Sequence, residues 1–290
     1  VDWIVGEAER SSKDVRRATG QRSERSLCTN NAVCCLVEGA IASEYGDQVS
    51  ALGGWTLDRS SKLILDESDS YGVEMALQLA EAAGGGTVSL VSMAPNNEVS
   101  GLRTALAMGA ESAVLVSDDA LAGSDALSTA KVLAAAIGRT EPDLILAATE
   151  SSDGYTGTVP EQIAAVMGLP SVTFAKEIEV GDGSVSVKRQ TESGYESVTC
   201  PTPCVVSVTA GVVEPRYPSF KGIMAAKSKP VDEVALADLG IDAGSVGWAG
   251  GGQEIVEIEQ AEAREAGEKI VDEGDAHERI IAFLEDLKVL

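Results

Sequence analysis

The sequence predicts an α/β fold: a doubly wound, mainly parallel sheet with an antiparallel extension and an extended C-terminal arm. Three observations carry this. From Gly54 onward, strand and helix patterns alternate. One run, Asp143–Ala148, is short and almost wholly apolar, as parallel strands buried on both faces tend to be. After Pro170 the texture changes to strand-like runs separated by glycine turns.

The elements follow in order. Asp66 to Ala83 reads as a helix, with Val73, Met75, Leu77 and Leu79 among Glu74, Gln78 and Glu81, and with Gly84-Gly85-Gly86 as its stop. Thr87–Met93 is a β-branched strand ended by Ala94-Pro95. Glu98–Met108 is a helix with Gly109 behind it, Ser112–Ser117 a strand, and Asp125–Gly138 an Ala-rich helix. Asp143–Ala148 is the third strand, and Pro160–Met167 the next helix. Beyond it, Val172–Val180, Ser184–Gln190, Glu196–Thr199 and Cys204–Thr209 read together as the antiparallel extension. Glu214–Pro230 is rich in proline and lysine, and the remainder is a mostly acidic tail with one closing helix, Ala276–Leu287.

The stretch before this pattern has a different character. Residues 1–50 hold six Lys and Arg against eight Asp and Glu, a net of −2, whereas the remaining residues carry a net of −22. Residues 7–25 are polar with basic clusters, and only Ala32–Val37 reads as a buried strand. The expected organisation is therefore an atypical segment 1–50, an α/β domain 51–230, and an arm with a helix, 231–290.

Composition narrows the function. The chain has 290 residues and 46 Asp and Glu against 22 Lys and Arg, a net charge of −24. Such a surface repels phosphate backbones and anionic lipid, which argues against nucleic-acid and membrane-surface roles. No apolar run reaches the ~18–20 residues of a membrane span. The N-terminal residues show no secretory pattern, and five cysteines (28, 34, 35, 200 and 204) fit a reducing, cytoplasmic compartment better than a disulfide framework. Cys200 and Cys204 have a single histidine in the chain to help them, His277, so they read as a strand end beside Pro201 and Pro203 and not as a metal site.

In an open parallel sheet, ligands bind outside the carboxyl ends of the strands. The richest such end is Ala148, which runs through Thr149, Glu150, Ser151, Ser152, Asp153, Gly154, Tyr155, Thr156, Gly157, Thr158 and Val159 into Pro160. The glycines permit close backbone approach, the threonines supply hydroxyls, and the free N–H groups of a helix start attract an anion. The loop has no Lys or Arg, and neither a Walker A lysine nor a G-x-G-x-x-G pattern is present. It is thus a nucleotide loop that relies on backbone amides, or a long inert βα loop. No catalytic constellation accompanies it, which favours binding or carrying over bond-breaking chemistry.

Several segments resemble one family. Gly101–Val116 and Leu65–Ala76 look like the helix–strand block and the helix start of electron transfer flavoprotein β subunits. Asp153–Pro170 with Val172–Ala175 fits that family's nucleotide loop, and Val187–Val198 followed by Pro203–Ser207 is close to its signature, with Ser193 departing from it. Glu214–Lys227 (EPRYPSFKGIMAAK) is nearly diagnostic. The resemblance covers about residues 55–290. It departs at Glu38-Gly-Ala-Ile, where the family has a Val-Pro-Asp-type turn, and at Thr149-Glu150, where Lys or Gln is common.

The resemblance implies a Rossmann-like, adenine-nucleotide-binding fold and a non-enzymatic subunit. Its partner would be an α subunit that holds most of an FAD, and the β subunit itself would hold AMP or, in electron-bifurcating members, a second FAD. It places the nucleotide on Asp66, Glu67, Ser68, Asp69, Met93 and the loop 148–159. It implies traffic of electrons from acyl-CoA and other flavin dehydrogenases to a quinone oxidoreductase. It puts a partner-docking loop on Phe220, Lys221, Ile223, Met224 and Lys227. Physically, Phe220 is a hot-spot anchor in a proline-bracketed segment, or an ordinary core residue. Lys221, Lys227 and Lys229 form a basic patch that would steer an acidic partner. A free AMP- or ATP-binding regulatory domain is the rival of another class.

Overall fold

We describe a computed structural model. It covers residues 63–152, 154–256 and 274–289 and, before them, the backbone of the strands 32–36, 39–41, 49–50 and 56–57. The chain divides into two compact units, Val1–Glu254 and Ile255–Leu290.

A nine-stranded sheet organises the first unit. In chain order its strands are β1 (Ala32–Leu36), β6 (Thr87–Met93), β7 (Ser112–Val116), β8 (Leu144–Ala148), β9 (Ser171–Gly181), β10 (Ser184–Thr191), β11 (Gly194–Pro201), β12 (Cys204–Val208) and β13 (Val231–Val234). Their spatial order is β11-β10-β9-β12-β8-β1-β6-β7-β13. The short strands β2 (Gly39–Ile41) and β5 (Leu63–Leu65) form one antiparallel pair, and β3 (Val49–Ser50) and β4 (Thr56–Leu57) another. The main helices are α1 (Glu67–Ala82), α2 (Ser100–Met108), α3 (Ala126–Gly138) and α4 (Val159–Met167); then come short α5 (Phe220–Ala226) and the single turn α6 (Gly247–Gly250).

Strand alternation assigns each helix to a face. Leu144 and Leu146 share one core with Val73, Leu102 and Leu106 of α1 and α2. Ile145 and Ala147 point the other way, to a core with Leu133, Ile137, Ile163 and Ala164 of α3 and α4. Because β8 meets a helix layer on both faces, each of its five residues is buried, which explains the unbroken apolar run. The doubly wound, mainly parallel expectation holds.

Two expectations change, and the strand expected before residue 50 is found. Cys204–Thr209 is not part of the antiparallel extension: β12 is parallel both to β8 and to β9, and only β9–β10 and β10–β11 are antiparallel. All five residues of β12 are buried between two strands and two helix layers, a parallel-strand signature like that of β8. The segment after Pro230 is not merely tail. Val231–Val234 is the edge strand β13, parallel to β7, and its two middle residues are exposed acids. Ala32–Leu36, the one strand expected before residue 50, lies between β6 and β8 near the middle of the sheet. Residues 1–31 fall outside the described residues.

In the second unit the described helix is α7 (Ala276–Asp286), with Ile280, Ile281 and Phe283 all exposed. Among the described residues, no helix is long and apolar enough to cross a membrane.

Candidate functional site: a strand-end cleft and an anchored docking segment

The chain order reverses at β1, which has β6 on one side and β8 on the other. A crevice opens at the carboxyl ends of strands at such a switch point, and the sheet's amides and helix starts converge there. Met93 and Ala148 end the two flanking strands.

One carboxylate organises this edge. Asp66 is the N-cap of α1, and its Oδ1 accepts from the Ser68 amide at 2.8 Å. Its Oδ2 accepts from the Ser152 amide at 2.9 Å and the Ser152 hydroxyl at 2.6 Å. Asp66 is buried. A carboxylate taken from water needs such a full set of donors. Asp66 therefore pins the loop after β8 to the start of α1, 86 residues earlier. The rest of the loop is held locally. Thr149 donates through its amide and hydroxyl to the Val208 carbonyl. The Gly154 amide donates to Ser151 Oγ, and the Tyr155 amide to the Ser151 carbonyl.

Those bonds leave a specific set of donors. Among the described residues, the amides of Thr156, Gly157 and Thr158 have no internal acceptor. Gly157 sits at φ +61°, a conformation glycine adopts without strain. Pro160 then occupies the first turn of α4. The cleft is open to solvent and is walled by Asp69, Ala147–Ser151, Thr156, Gly157, Val159 and Pro160. Of the expected residues it brings together Asp69, Ala148, Thr149, Ser151, Thr156, Gly157 and Val159. Asp66 and Ser152 stand behind this wall as its fastening. Glu67, Ser68, Met93, Gly154, Tyr155 and Thr158 lie outside the wall, and Asp153 lies outside the described residues. Ala147 and Pro160 extend the expected set. The donors suit a phosphate, but Asp69 and Glu150 in the wall disfavour a highly charged one.

The segment expected to dock a partner is built differently. Arg216 places its Nε 2.6 Å and its Nη2 3.0 Å from the two oxygens of Glu74, while its Nη1 reaches Glu81 at 2.9 Å. Glu74 is buried on α1. Burial by itself pushes its carboxyl up, but hydrogen bonds from Arg216 and Gln78, with the Arg216 charge, outweigh this and hold it below the ordinary value. Hydrogen bonding to Glu74 in turn raises Arg216. Ser219 then caps α5, accepting from the Gly222 amide at 3.0 Å.

Gly222 lets α5 lie directly on α2: a Cβ there would stand 2.3 Å from the Ala107 carbonyl oxygen. Arg103 on α2 donates to the carbonyls of Ala226 and Lys229, each at 2.7 Å. So fastened, the segment exposes Phe220 by 81%, and Ile223, Met224, Lys221 and Lys227 are exposed beside it. Phe220 is thus not a core residue. Tyr217, 93% exposed, is a further aromatic that the sequence reading passed over; its place between two prolines was the available signal. Lys229 leaves the expected basic patch. Its ammonium donates to the carbonyls of Leu106, Gly109 and Ala110 at the end of α2, where burial lowers its pKa.

Cys200 and Cys204 flank the turn between β11 and β12, both buried as free thiols. Burial, with Cys200 as neighbour, pushes the Cys204 thiol up to about 12. Among the described residues, no group of three or more His, Cys, Asp or Glu could hold a metal.

The sequence profile of the electron transfer flavoprotein domain family matches residues 54–239. The electron transfer flavoprotein subunit beta of Mycobacterium leprae is 41% identical over 244 residues, 82% of this chain and 92% of the relative. Subunits of the same name from Thermoanaerobacterium thermosaccharolyticum and Clostridium acetobutylicum are 35% and 30% identical, over 71% and 83% of this chain and 79% and 92% of theirs. The chain belongs to the electron transfer flavoprotein β subunit family.

Proposed function

We propose that this family member is the non-catalytic half of a heterodimeric electron carrier. An α subunit would hold most of the FAD, and the strand-end cleft would hold an adenine nucleotide. Electrons would enter from acyl-CoA and other flavin dehydrogenases and leave to a quinone oxidoreductase, within the cytoplasm. The single observation that carries the reading is the cleft at the β1 switch point. There, the loop 149–158 is pinned by Asp66 with three amides turned to no internal partner.

The bound FAD supplies the redox chemistry. This chain's residues would position and recognise. The amides of Thr156, Gly157 and Thr158 and the threonine hydroxyls would bind the nucleotide phosphate. Phe220, Lys221, Ile223, Met224 and Lys227, held out by the Arg216 anchor, would meet the dehydrogenase. The exposed apolar face of α7 and the arm before it would pack on the α subunit.

Co-expression with the α subunit, then denaturation and chromatography of the released nucleotides, tests this. One FAD and one AMP per heterodimer is the expected result. Two FAD would replace AMP by the bifurcating arrangement. A chain that ignores the α subunit yet binds AMP or ATP would be a regulatory module instead. A stable complex with neither flavin nor adenine nucleotide would overturn the proposal.

A further inference from the structure

A second concavity adjoins the nucleotide cleft and shares Gly157 with it. It is an open groove between the first turns of α4 and strand β9, walled by Thr158, Glu161, Gln162 and Ala165 on one side and Thr173 and Phe174 on the other. Two features set it apart from an ordinary surface furrow.

The first is a pair of unpartnered acceptors. Glu161 Oε2 and Gln162 Oε1 are cut off from solvent, and neither has a hydrogen-bond partner among the described residues. Gln162 uses its amide nitrogen on Thr158 Oγ1 at 3.2 Å, so only its oxygen is left over. Buried acceptors without donors are rare and costly, and each asks for an explanation. Burial pushes the Glu161 carboxyl up, as expected for an acid with no cation beside it. Arg189, which reaches Thr173 in the groove wall, spends its guanidinium on Thr173 Oγ1 and Glu196.

The second is strain. Phe174 lies inside strand β9 at φ +57°, in the left-handed region that a bulky side chain rarely adopts. The ladder with β12 slips there: Val206 pairs with Val172, and Val208 with Ala175. The resulting bulge is fastened, since the Phe174 amide donates to Ser207 Oγ and Thr209 donates twice to the Ala175 carbonyl. Its effect is to turn a partly exposed ring into the groove.

An aromatic face opposite a carboxylate and an amide oxygen matches one chemical group well. A guanidinium is planar, stacks on aromatic rings and carries several donors in a fixed fork. We propose that the groove between Glu161, Gln162 and Phe174 receives an arginine side chain of the α subunit in the heterodimer. The inference rests on the heterodimer of the preceding section. Charge complementarity points to a basic occupant: the groove presents the Glu161 carboxylate, with no cation beside it, and the Gln162 oxygen opposite the Phe174 ring.

The test follows dissociation of the full-length heterodimer on dilution. Three β variants are compared with wild type: Glu161→Gln, Phe174→Gly and, as control, Glu179→Gln on the exposed side of β9. Phe174→Gly relaxes the strained backbone, so it removes the ring with little threat to folding, which the melting curve of the β chain checks. The expected result is a dissociation constant raised tenfold or more by Glu161→Gln and by Phe174→Gly, and unchanged by the control. Wild-type affinity in both variants overturns the inference. So does loss of the adenine nucleotide with α binding intact, which would assign the groove to the nucleotide cleft. Failure of the wild-type chain to bind α at all would instead remove the heterodimer reading itself.

Discussion

The candidate nucleotide loop and the candidate docking segment are both fastened to helix α1, by opposite means. The loop is held by the acid at the helix's N-terminus, and among the described residues three of its amides have no internal acceptor. The docking segment is held by two acids further along, Glu74 and Glu81, through a side chain the segment itself supplies. The first arrangement hides its polar anchor and offers backbone. The second buries one carboxylate, Glu74, and offers side chains, Tyr217 and Phe220 above all. The difference teaches that one helix can fasten a candidate small-molecule site and a candidate macromolecular surface through different residues, Asp66 for the first and Glu74 with Glu81 for the second. Each can therefore be broken separately.

Arg216→Ala gives the largest expected effect. It leaves Glu74, whose side chain is 4% exposed, charged and without its cation. Breaking a fully buried pair costs ~3–5 kcal/mol. With the Arg216 side chain 36% exposed, we expect about 2–3 kcal/mol in urea unfolding. Acid has a related effect in the wild type. The Glu74 carboxyl is depressed on folding, so its stabilisation is complete above the ordinary value of 4.5 and fades as pH falls through the lower folded value. Arg216→Ala should flatten that part of the stability–pH profile. An unchanged profile would mean that the pair does not hold the segment.

Asp66→Ala attacks the other region. It removes a helix cap and two bonds to Ser152, for an expected loss of about 2 kcal/mol. The nucleotide content of the purified complex should fall with it, while electron uptake from a dehydrogenase per bound flavin should persist. Nucleotide retained in full would show that the loop keeps its shape without Asp66.

Neither anchor was legible in the sequence, although the regions they hold were. The helix Asp66–Ala83 shows its cap and its apolar spacing within a few residues, and so the sequence predicts it well. That Asp66 also seizes Ser152 depends on a contact spanning 86 residues, and Arg216 meets Glu74 across 142. Among 46 acids, no local pattern marks these few as buried. The same limit explains β13. Val-Asp-Glu-Val on an edge shows one apolar face and two solvated acids, indistinguishable from the acidic tail around it. It explains Lys229 too, which resembles its exposed neighbours until the end of α2 is placed beside it. Cys204–Val208 differs for another reason: glycine turns and strand-like neighbours suggest an antiparallel extension, and Ser207 interrupts the apolar run that would mark a strand buried on both faces.

Gly222→Ala is a smaller lesion within the docking region. The added methyl would overlap the Ala107 carbonyl, so α5 must lift from α2, at a cost of about 1–2 kcal/mol in thermal or urea unfolding. Because α5 carries Ile223 and Met224, docking should weaken along with stability. A variant as stable as wild type would show that α5 is free to shift, and that close packing on α2 is not what orients the segment.

Phe220→Ala should change stability least and discriminate most. The side chain is 81% exposed, so its removal should move unfolding by less than about 0.5 kcal/mol. If the segment is a docking surface, the same change removes the central anchor, and electron transfer from a dehydrogenase should slow with flavin and nucleotide content unchanged. Stopped-flow reduction by the dehydrogenase, beside a chemical reductant that needs no docking, separates the two. Slowing with the enzyme alone places the effect at the interface. Slowing with both, or loss of flavin, would mean that the ring supports the fold of the carrier. The contrast between a region that hides its anchor and one that presents its side chains would then fail at Phe220.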